Sequence, residues 1–403
     1  MKLRIDSSLL RAALAALWVY GGRGIGLLWI AALNYRLGVS QYGLYAMAVA
    51  IAPLIATPLE SPFIVRSIRV DDDTFRAERF TRVITGTAIA VVGYLLVSVS
   101  FIAGYALIVA GGEITFNALK AYRLRKGHPH LVNRMDTVRQ VSSVVTGGAV
   151  LFLVQDPSIT LVAASYSIPW AIVIAVSWFT LPAARPRFPG GLKESSLLAG
   201  EALVNAANMQ GDLLLLGMLT NSTVAGYYSL ASVTAWALVV PAQAYGQTFH
   251  ERLRFADGVR GSWPPMRRVA AISLASAALL AAVGAAVVLS PLPSPTGWAM
   301  LALSPFVFGR SMTSVLAIIM YAQRRDVERF TWALPILPLK LGLVGVAVAL
   351  GWNATGAGIA CSVAELTLLA AYLRLMRRSA TIVADPRGGV ESSPADRKVG
   401  TAE

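Results

Sequence analysis

Apolar runs of about 20 residues, the length a helix needs to cross a bilayer, recur along this whole chain. Near the middle of several of them stands a charge: Arg23, Glu113, Arg310, Lys340 and Glu365. An ionised side chain at the bilayer centre costs at least about 2.5 kcal/mol, even on lenient insertion scales. Such residues face a water-filled cavity or a partner inside a helical bundle. Most of these charges are cationic, so a cavity that they line suits an anionic cargo.

Composition agrees with a membrane chain. Of 403 residues, 56% are hydrophobic and 14% charged, against roughly a quarter charged in soluble domains. Mean hydropathy is +0.62. The predicted spans are 12–33, 42–65, 82–100, 103–122, 138–154, 159–181, 196–218, 223–249, 268–289, 297–321, 331–350 and 353–375. The first is too long for a signal-peptide core and no small-residue cleavage pattern follows it, so it reads as a retained helix. The one cysteine, Cys361, leaves no intrachain disulfide or thiolate metal site.

The net charge of +14 is unevenly spread. Arg66, Arg69, Arg76, Arg79 and Arg82 follow the second span; Lys120, Arg123, Arg125, Lys126 and Arg134 follow the fourth. Further Lys and Arg groups follow the sixth, eighth, tenth and last spans, whereas Arg36 is the only Lys or Arg in the intervening loops. This is the positive-inside pattern for an even number of spans with both termini cytoplasmic, and it argues against a nucleic-acid partner. The tail 379–403 is rich in Ser, Pro and charge and is expected to be disordered. Asp71, Asp72 and Asp73 could hold Mg²⁺ against a diphosphate. Without a second acidic cluster, a solvated loop of mixed charge is the favoured reading. His128 and His130 flank Pro129 in a basic loop, and a solvated loop is again favoured over a metal site.

At an offset of 183 residues, Leu33, Gly43, Tyr45, Ala48, Ala52 and Pro58 align with Leu216, Gly226, Tyr228, Ala231, Ala235 and Pro241. A looser echo pairs Tyr122, Arg125 and Lys126 with Tyr321, Arg324 and Arg325. The economical reading is two parallel six-helix lobes, 1–186 and 187–378, joined near Pro182–Lys193. Transporters built on such repeats bind cargo between the halves near the midplane. The expected fold is therefore an all-α polytopic membrane protein of about twelve transmembrane helices in two parallel lobes.

The segment Leu37-Gly38-Val39-Ser40-Gln41-Tyr42-Gly43-Leu44-Tyr45 resembles the opening of the second helix in polysaccharide (O-antigen) flippases of the multidrug/oligosaccharidyl-lipid/polysaccharide (MOP) exporter superfamily. Gly211–Gly217 with Ala225–Ala231 resembles the seventh and eighth helices of the same family. These motifs cover about 60 residues and the topology nearly all of the chain. Many relatives have fourteen spans, lipid II flippases among them, which makes a lipid II role less fitting here. The resemblance implies a V-shaped, two-lobed transporter that moves undecaprenyl-diphosphate-linked glycans outward.

Depth selects the site candidates. Arg23 lies about 16 Å from either end of its helix and Lys340 roughly 14 Å from one end of its own, too deep for snorkelling to reach headgroups. Arg310 is similarly central. These cations either line a diphosphate-binding cavity or pair internally, Arg23 with Glu113 and Lys340 or Arg310 with Glu365. Pro335 and Pro338 predict a broken helix just before Lys340. On the seventh span Glu201, Asn205, Asn208 and Asp212 are spaced to share one face, which lines the cavity or bonds to a neighbouring helix. The expected substrate-binding set is Arg23, Arg310, Lys340, Asn205 and Asn208. The coupling candidates are Asp212, Glu113, Glu365 and Glu201. Glu60 is placed close enough to its helix end to reach water. Gln243, Tyr245 and Gln247 are weaker candidates for sugar contacts.

The favoured function is a flippase for a lipid-linked oligosaccharide in the bacterial cytoplasmic membrane. The alternative is a MATE-type multidrug or metabolite exporter, which expects acidic residues to dominate the cavity. An enzyme is not favoured, since every outer loop is under about ten residues. No nucleotide-binding motif occurs, and no cofactor is expected beyond H⁺ or Na⁺ as a coupling ion. The expected partners are the lipid-linked glycan, membrane lipids and a polysaccharide polymerase or glycosyltransferases, with the chain itself a monomer.

Overall fold

A computed structural model of the chain describes residues 7–67, 70–126, 129–180, 184–255, 260–323 and 325–383. Among them the chain is all helix and turn. The helices are α1 (Ser7–Arg66), α2 (Asp72–Leu96), α3 (Phe101–Arg125), α4 (Pro129–Leu153), α5 (Ile159–Tyr166), α6 (Ile168–Thr180), α7 (Leu192–Leu219), α8 (Ser222–Gln247), α9 (His250–Phe255), α10 (Met266–Leu289), α11 (Ser294–Ala322), α12 (Asp326–Ala333), α13 (Ile336–Ala349) and α14 (Asn353–Val383). Nine helical stretches of the described residues are long and apolar enough to cross a membrane. Large apolar side chains such as Phe179, Leu289 and Leu153 are almost fully exposed, as lipid-facing residues would be.

Each predicted span falls on helix, but the boundaries carry information of their own. α1 breaks at Gly38, whose φ of 80° suits a residue without Cβ. The two arms fold back on each other, so that Trp29 Nε1 donates to Tyr45 Oη at 3.1 Å across the turn. The sixth predicted span divides into α5 and α6 just before Pro169, and the eleventh into α12 and α13 at Pro335, as its prolines led one to expect. Pro305 interrupts α11 more subtly. Ser362 accepts from Phe306 N at 3.1 Å and donates to Ala302 O at 2.6 Å. It thereby bridges the Phe306–Ala302 i→i−4 pair, while Ser304 Oγ donates to the Leu301 carbonyl that Pro305 cannot serve.

α2 corrects the sequence reading. It starts at Asp72 rather than near residue 82, and it takes most of the expected basic loop into helix. Arg82 and Arg79 are buried there. Arg82 Nη2 meets Glu60 Oε1 at 2.6 Å, Asn117 donates to the other Glu60 oxygen at 2.6 Å, and Arg79 Nε donates to Ala118 O at 3.0 Å. Glu60 is buried and paired rather than reaching water. A carboxylate at this depth draws in a guanidinium because burial penalises either charge alone. Asp71 caps α2 by accepting from Thr74 N at 2.8 Å, a bond that holds its carboxyl below the usual range. Asp72 pairs with Arg125 at 2.9 Å and Asp73 with Arg76 at 3.6 Å, so the acidic trio belongs to a mixed-charge surface. α14 runs past residue 379 to Val383; residues 384–403, along with Arg69 and His128, lie outside the described residues.

The repeat is visible in the packing. Gly43 faces the carbonyl of Ser222: a Cβ added there would stand 1.8 Å from that oxygen. Gly226 faces the carbonyl of Val39, 2.4 Å from an added Cβ. Val39 and Ser222 are themselves 183 residues apart, so the contact is reciprocal. Ser40 and Ser222 hydroxyls lie 3.1 Å apart beside it, and Tyr42 and Ser229 hydroxyls 2.8 Å apart one turn further on. Leu33 and Leu216, Ala48 and Ala231, and Ala52 and Ala235 are all fully buried, and a single apolar core runs through both repeats. Gly43→Ala is expected to cost about 1–3 kcal/mol and to lower the thermal unfolding midpoint in detergent. Gly148→Ala, where nothing lies within 4 Å of the added Cβ, is the control. Equal midpoints for the two variants would rule the close contact out.

Candidate functional site

A central cavity of about 580 Å³ lies between both arms of α1, α4, α7, α8 and α11. It starts beneath the Gly43–Gly226 contact and reaches Gln243 near the basic end of α8. Its polar lining includes Tyr42, Gln140, Gln210, Ser229, Gln243 and Arg310; among the described residues that line it, Arg310 alone is charged.

Arg310 sits just past the Pro305 kink and presents its guanidinium to the wall of this cavity. The side chain is 26% exposed, and its Cζ lies 5.2 Å from the centre of the Trp236 ring, a cation–π arrangement. The nearest countercharge is Glu365 on α14, whose Oε1 stands 3.7 Å from Nη1 and accepts from Thr313. Nε of Arg310 is buried and has no hydrogen-bond partner. A guanidinium carries five donors, and this one is charge-balanced but far from satisfied.

Lys340 differs. It is 6% exposed, and its Nζ lies 3.3 Å from Asp212 Oδ1 and donates to the carbonyl of Asn208. Asp212 Oδ2 accepts from Tyr228 and lies 3.0 Å from Cys361 Sγ. α7, α8, α13 and α14 thus each give one side chain to a closed ionic cluster. Lys340 lies directly past the Pro335 break, which turns α13 toward α7. Of the two alternatives for its partner, neither Glu365 nor an open cavity holds; Asp212 takes it. A hollow of about 10 Å³ lies between the two ion pairs and is lined by both cations, Arg310 and Lys340, together with Asn208, Trp236, Cys361 and Glu365.

The remaining candidates are dispersed. The predicted polar face of α7 splits along its length. Asp212 is buried, Asn208 lines the small hollow, and Asn205 is exposed. Glu201 is exposed on a separate groove with Val204, Val327 and Phe330. Glu113 on α3 is half-buried within electrostatic reach of Glu60 and Arg139, and it does not line the cavity. Arg23 lies outside the residues whose side chains are described. Gln243 does reach the cavity, whereas Tyr245 packs on Phe249 with ring centres 5.3 Å apart and Gln247 is exposed. Among the described residues no cluster of three metal-ligating side chains occurs.

One further correspondence, Trp29 with Asp212, escaped the sequence reading although the repeat contained it. Trp29 and Asp212 are 183 residues apart, like Tyr45 and Tyr228. In the first repeat the Tyr45 hydroxyl meets Trp29, which stacks on Tyr166 at 4.8 Å. In the second repeat the Tyr228 hydroxyl meets Asp212, which holds Lys340. One register position is thus aromatic in one repeat and ionic in the other.

No protein-family profile and no curated protein matches the sequence. Solved structures do match. The chain is similar to a lipid II flippase, MurJ, in an inward closed conformation, with TM-score 0.65 and 13% identity over 91% of this chain and 87% of that one. It is similar to an inward-facing multidrug resistance MATE family transporter of the MOP superfamily, with TM-score 0.61 and 13% identity over 94% and 100%. An outward-facing MATE transporter matches at TM-score 0.54, with 14% identity over 95% and 98%. At such identities the likeness is one of fold: the chain has a MOP-like fold, and the matched proteins are a flippase and transporters rather than enzymes.

Removing one member of a buried ion pair leaves the other uncompensated, at a cost of about 3–5 kcal/mol, whereas replacing both is often neutral. Asp212→Asn and Lys340→Met are each expected to lower the thermal midpoint sharply, and the double variant to recover most of the loss. Additive losses in the double variant would show that the two charges do not pair.

Proposed function

We propose that this chain is a MOP-fold transporter that carries an amphipathic anion, an undecaprenyl-diphosphate-linked oligosaccharide, across the bacterial cytoplasmic membrane. The observation that carries the reading is Arg310. It puts an under-bonded guanidinium on the wall of the central cavity, with its countercharge at 3.7 Å rather than in hydrogen-bond contact. A phosphate oxygen arriving there gains charge-assisted hydrogen bonds that the protein leaves unmade. The glutamines and the Ser229 and Tyr42 hydroxyls supply neutral partners for sugar groups. A volume of about 580 Å³ fits a headgroup-sized moiety, with the polyprenyl chain left in the bilayer.

The proposed topology has twelve crossings. α1 supplies two of them, and α4 and α7 cross with Thr137, Ser143 and Asp212 buried against neighbouring helices and with Arg134, Glu201 and Asn205 toward one end. Both termini are then cytoplasmic, and the lobes are 1–186 and 187–378. On this topology the reciprocal glycine contact closes the periplasmic end and the cavity lies on its cytoplasmic side. Alternating access requires that contact to part. The membrane potential, inside negative, favours export of an anion by about 2.3 kcal/mol per charge per 100 mV. A coupling ion, H⁺ or Na⁺, would compete with Lys340 for Asp212 or with Arg310 for Glu365; Glu201 lies apart from both. The transporter would act as a monomer and pass its cargo to a polysaccharide polymerase or glycosyltransferase. The cation-exporting reading of the fold finds less support, since no acidic residue is among the described residues lining the cavity.

The test is flipping of a fluorescent undecaprenyl-diphosphate oligosaccharide in proteoliposomes. Loss of hydrogen bonds to a charged group costs about 1.5–3 kcal/mol, so Arg310→Gln is expected to slow transport roughly tenfold to a hundredfold. Arg310→Lys, which keeps charge without the fork of donors, should fall between. Transport in a folded Arg310→Gln protein within about twofold of the parent would overturn the phosphate-binding role.

A further inference from the structure

A second groove of about 510 Å³ lies on the outer flank of the bundle, between α3, α4 and α6, and shares no lining residue with the central cavity. It runs from the basic end of the bundle inward. Its walls are apolar, with Ile172, Val176 and Val138 substantially exposed on its rim. Its only charged lining residues among those described are three arginines: Arg123 on α3, and Arg134 and Arg139 on α4. Arg123 and Arg134 are exposed at the mouth. Arg139 lies about 7 Å further along α4. Its guanidinium covers the Trp170 ring at 4.1 Å and approaches Phe116 at 5.7 Å, and its Nε is buried without a hydrogen-bond partner. Of the two carboxylates nearby, Asp136 is held by Lys120 at 2.6 Å, and Glu113 is within electrostatic reach of Arg139 without forming an ion pair with it.

We propose that this groove is a binding site for an anionic phospholipid of the leaflet at the basic end, its phosphate held between Arg123, Arg134 and Arg139 and an acyl chain along the apolar wall. Burial of arginine donors without partners is costly, and an apolar trough with a guanidinium at its floor calls for one molecule that is anionic at one end and aliphatic at the other. Free phosphate would leave the wall bare, and a zwitterionic headgroup would leave the positive charge unbalanced. A basic pocket between membrane helices is a recognised form of anionic-lipid site. The groove shares no lining residue with the central cavity, so its proposed occupant is a bilayer lipid that stays rather than cargo that crosses. The inference does not depend on the transport reading.

The test is native mass spectrometry of the full chain in detergent, titrated with dioleoyl phosphatidylglycerol or dioleoyl phosphatidylcholine. An arginine near the headgroups favours an anionic lipid by roughly fivefold. The parent protein should therefore prefer phosphatidylglycerol by at least about tenfold. Arg123→Gln/Arg134→Gln, both at exposed positions, should lose most of that preference at an unchanged thermal midpoint. Arg139→Gln should lose it too, and the double variant keeps the result interpretable if Arg139→Gln misfolds. Equal binding of the two lipids by the parent, or a preference that survives in the double variant, would overturn the site. Displacement of phosphatidylglycerol by undecaprenyl diphosphate at equal concentration would also overturn it, by assigning the groove to cargo.

Discussion

A bundle in hydrocarbon cannot readily leave a charge alone, and Lys340, Arg310 and Glu60 meet that constraint through partners on other helices. Lys340 joins α13 to α7 through Asp212, Arg310 joins α11 to α14 through Glu365, and Glu60 joins α1 to α2 and α3 through Arg82 and Asn117. Hydrophobic burial cannot choose neighbours in a solvent that is itself apolar. These pairs can, because a mismatched partner would leave two buried charges instead of none. The pairs therefore specify which helices lie side by side, and the cavity is what remains between them. Arg310 is at once part of this frame and part of the cavity wall, which is why its ion pair is looser than the others.

Much of the helix pattern was legible from the chain. Apolar length placed each predicted span on helix, Pro335 marked the break before Lys340, and Gly-x-Tyr at an offset of 183 marked the repeat. What could not be read was which faces meet. Spacing placed Glu201, Asn205, Asn208 and Asp212 on one face of α7, but a face tens of ångströms long passes several neighbours. The C-terminal part of this one meets α13 through Asp212, while Glu201 and Asn205 in its N-terminal part are exposed. Distance from a helix end also misled where the helix itself began early. Arg79 and Arg82 counted as loop residues only because α2 was started near residue 82, and Glu60 lost its partner by the same error. The expected ring of cations shrank for a related reason: Lys340 and Asp212 are 128 positions apart in sequence, and no local pattern announces that they neutralise each other.

The two repeats share a scaffold and differ in content. The same tyrosine, two residues beyond the same glycine, reports on both halves: Tyr45 hydrogen-bonds to an indole within a stack of rings, and Tyr228 to a carboxylate that holds an ammonium. Rings pack without net charge, so at this register position the first repeat is held by shape, whereas the second is held by an ion pair that depends on the protonation state of its members. The buried ionic cluster of the first repeat stands elsewhere, at Glu60 and Arg82.

The glycine contact bears on charge as well as on packing. A patch whose residue i touches j while j's equivalent touches i's is the self-complementary surface that two identical subunits present across a twofold axis. In such a dimer every buried charge occurs twice, and each copy carries its own desolvation penalty. Within one chain the twofold need hold only for the backbone. This chain has the reciprocal contact at Gly43 and Gly226 while placing aspartate on one side and tryptophan on the other, an asymmetry that no homodimer could encode.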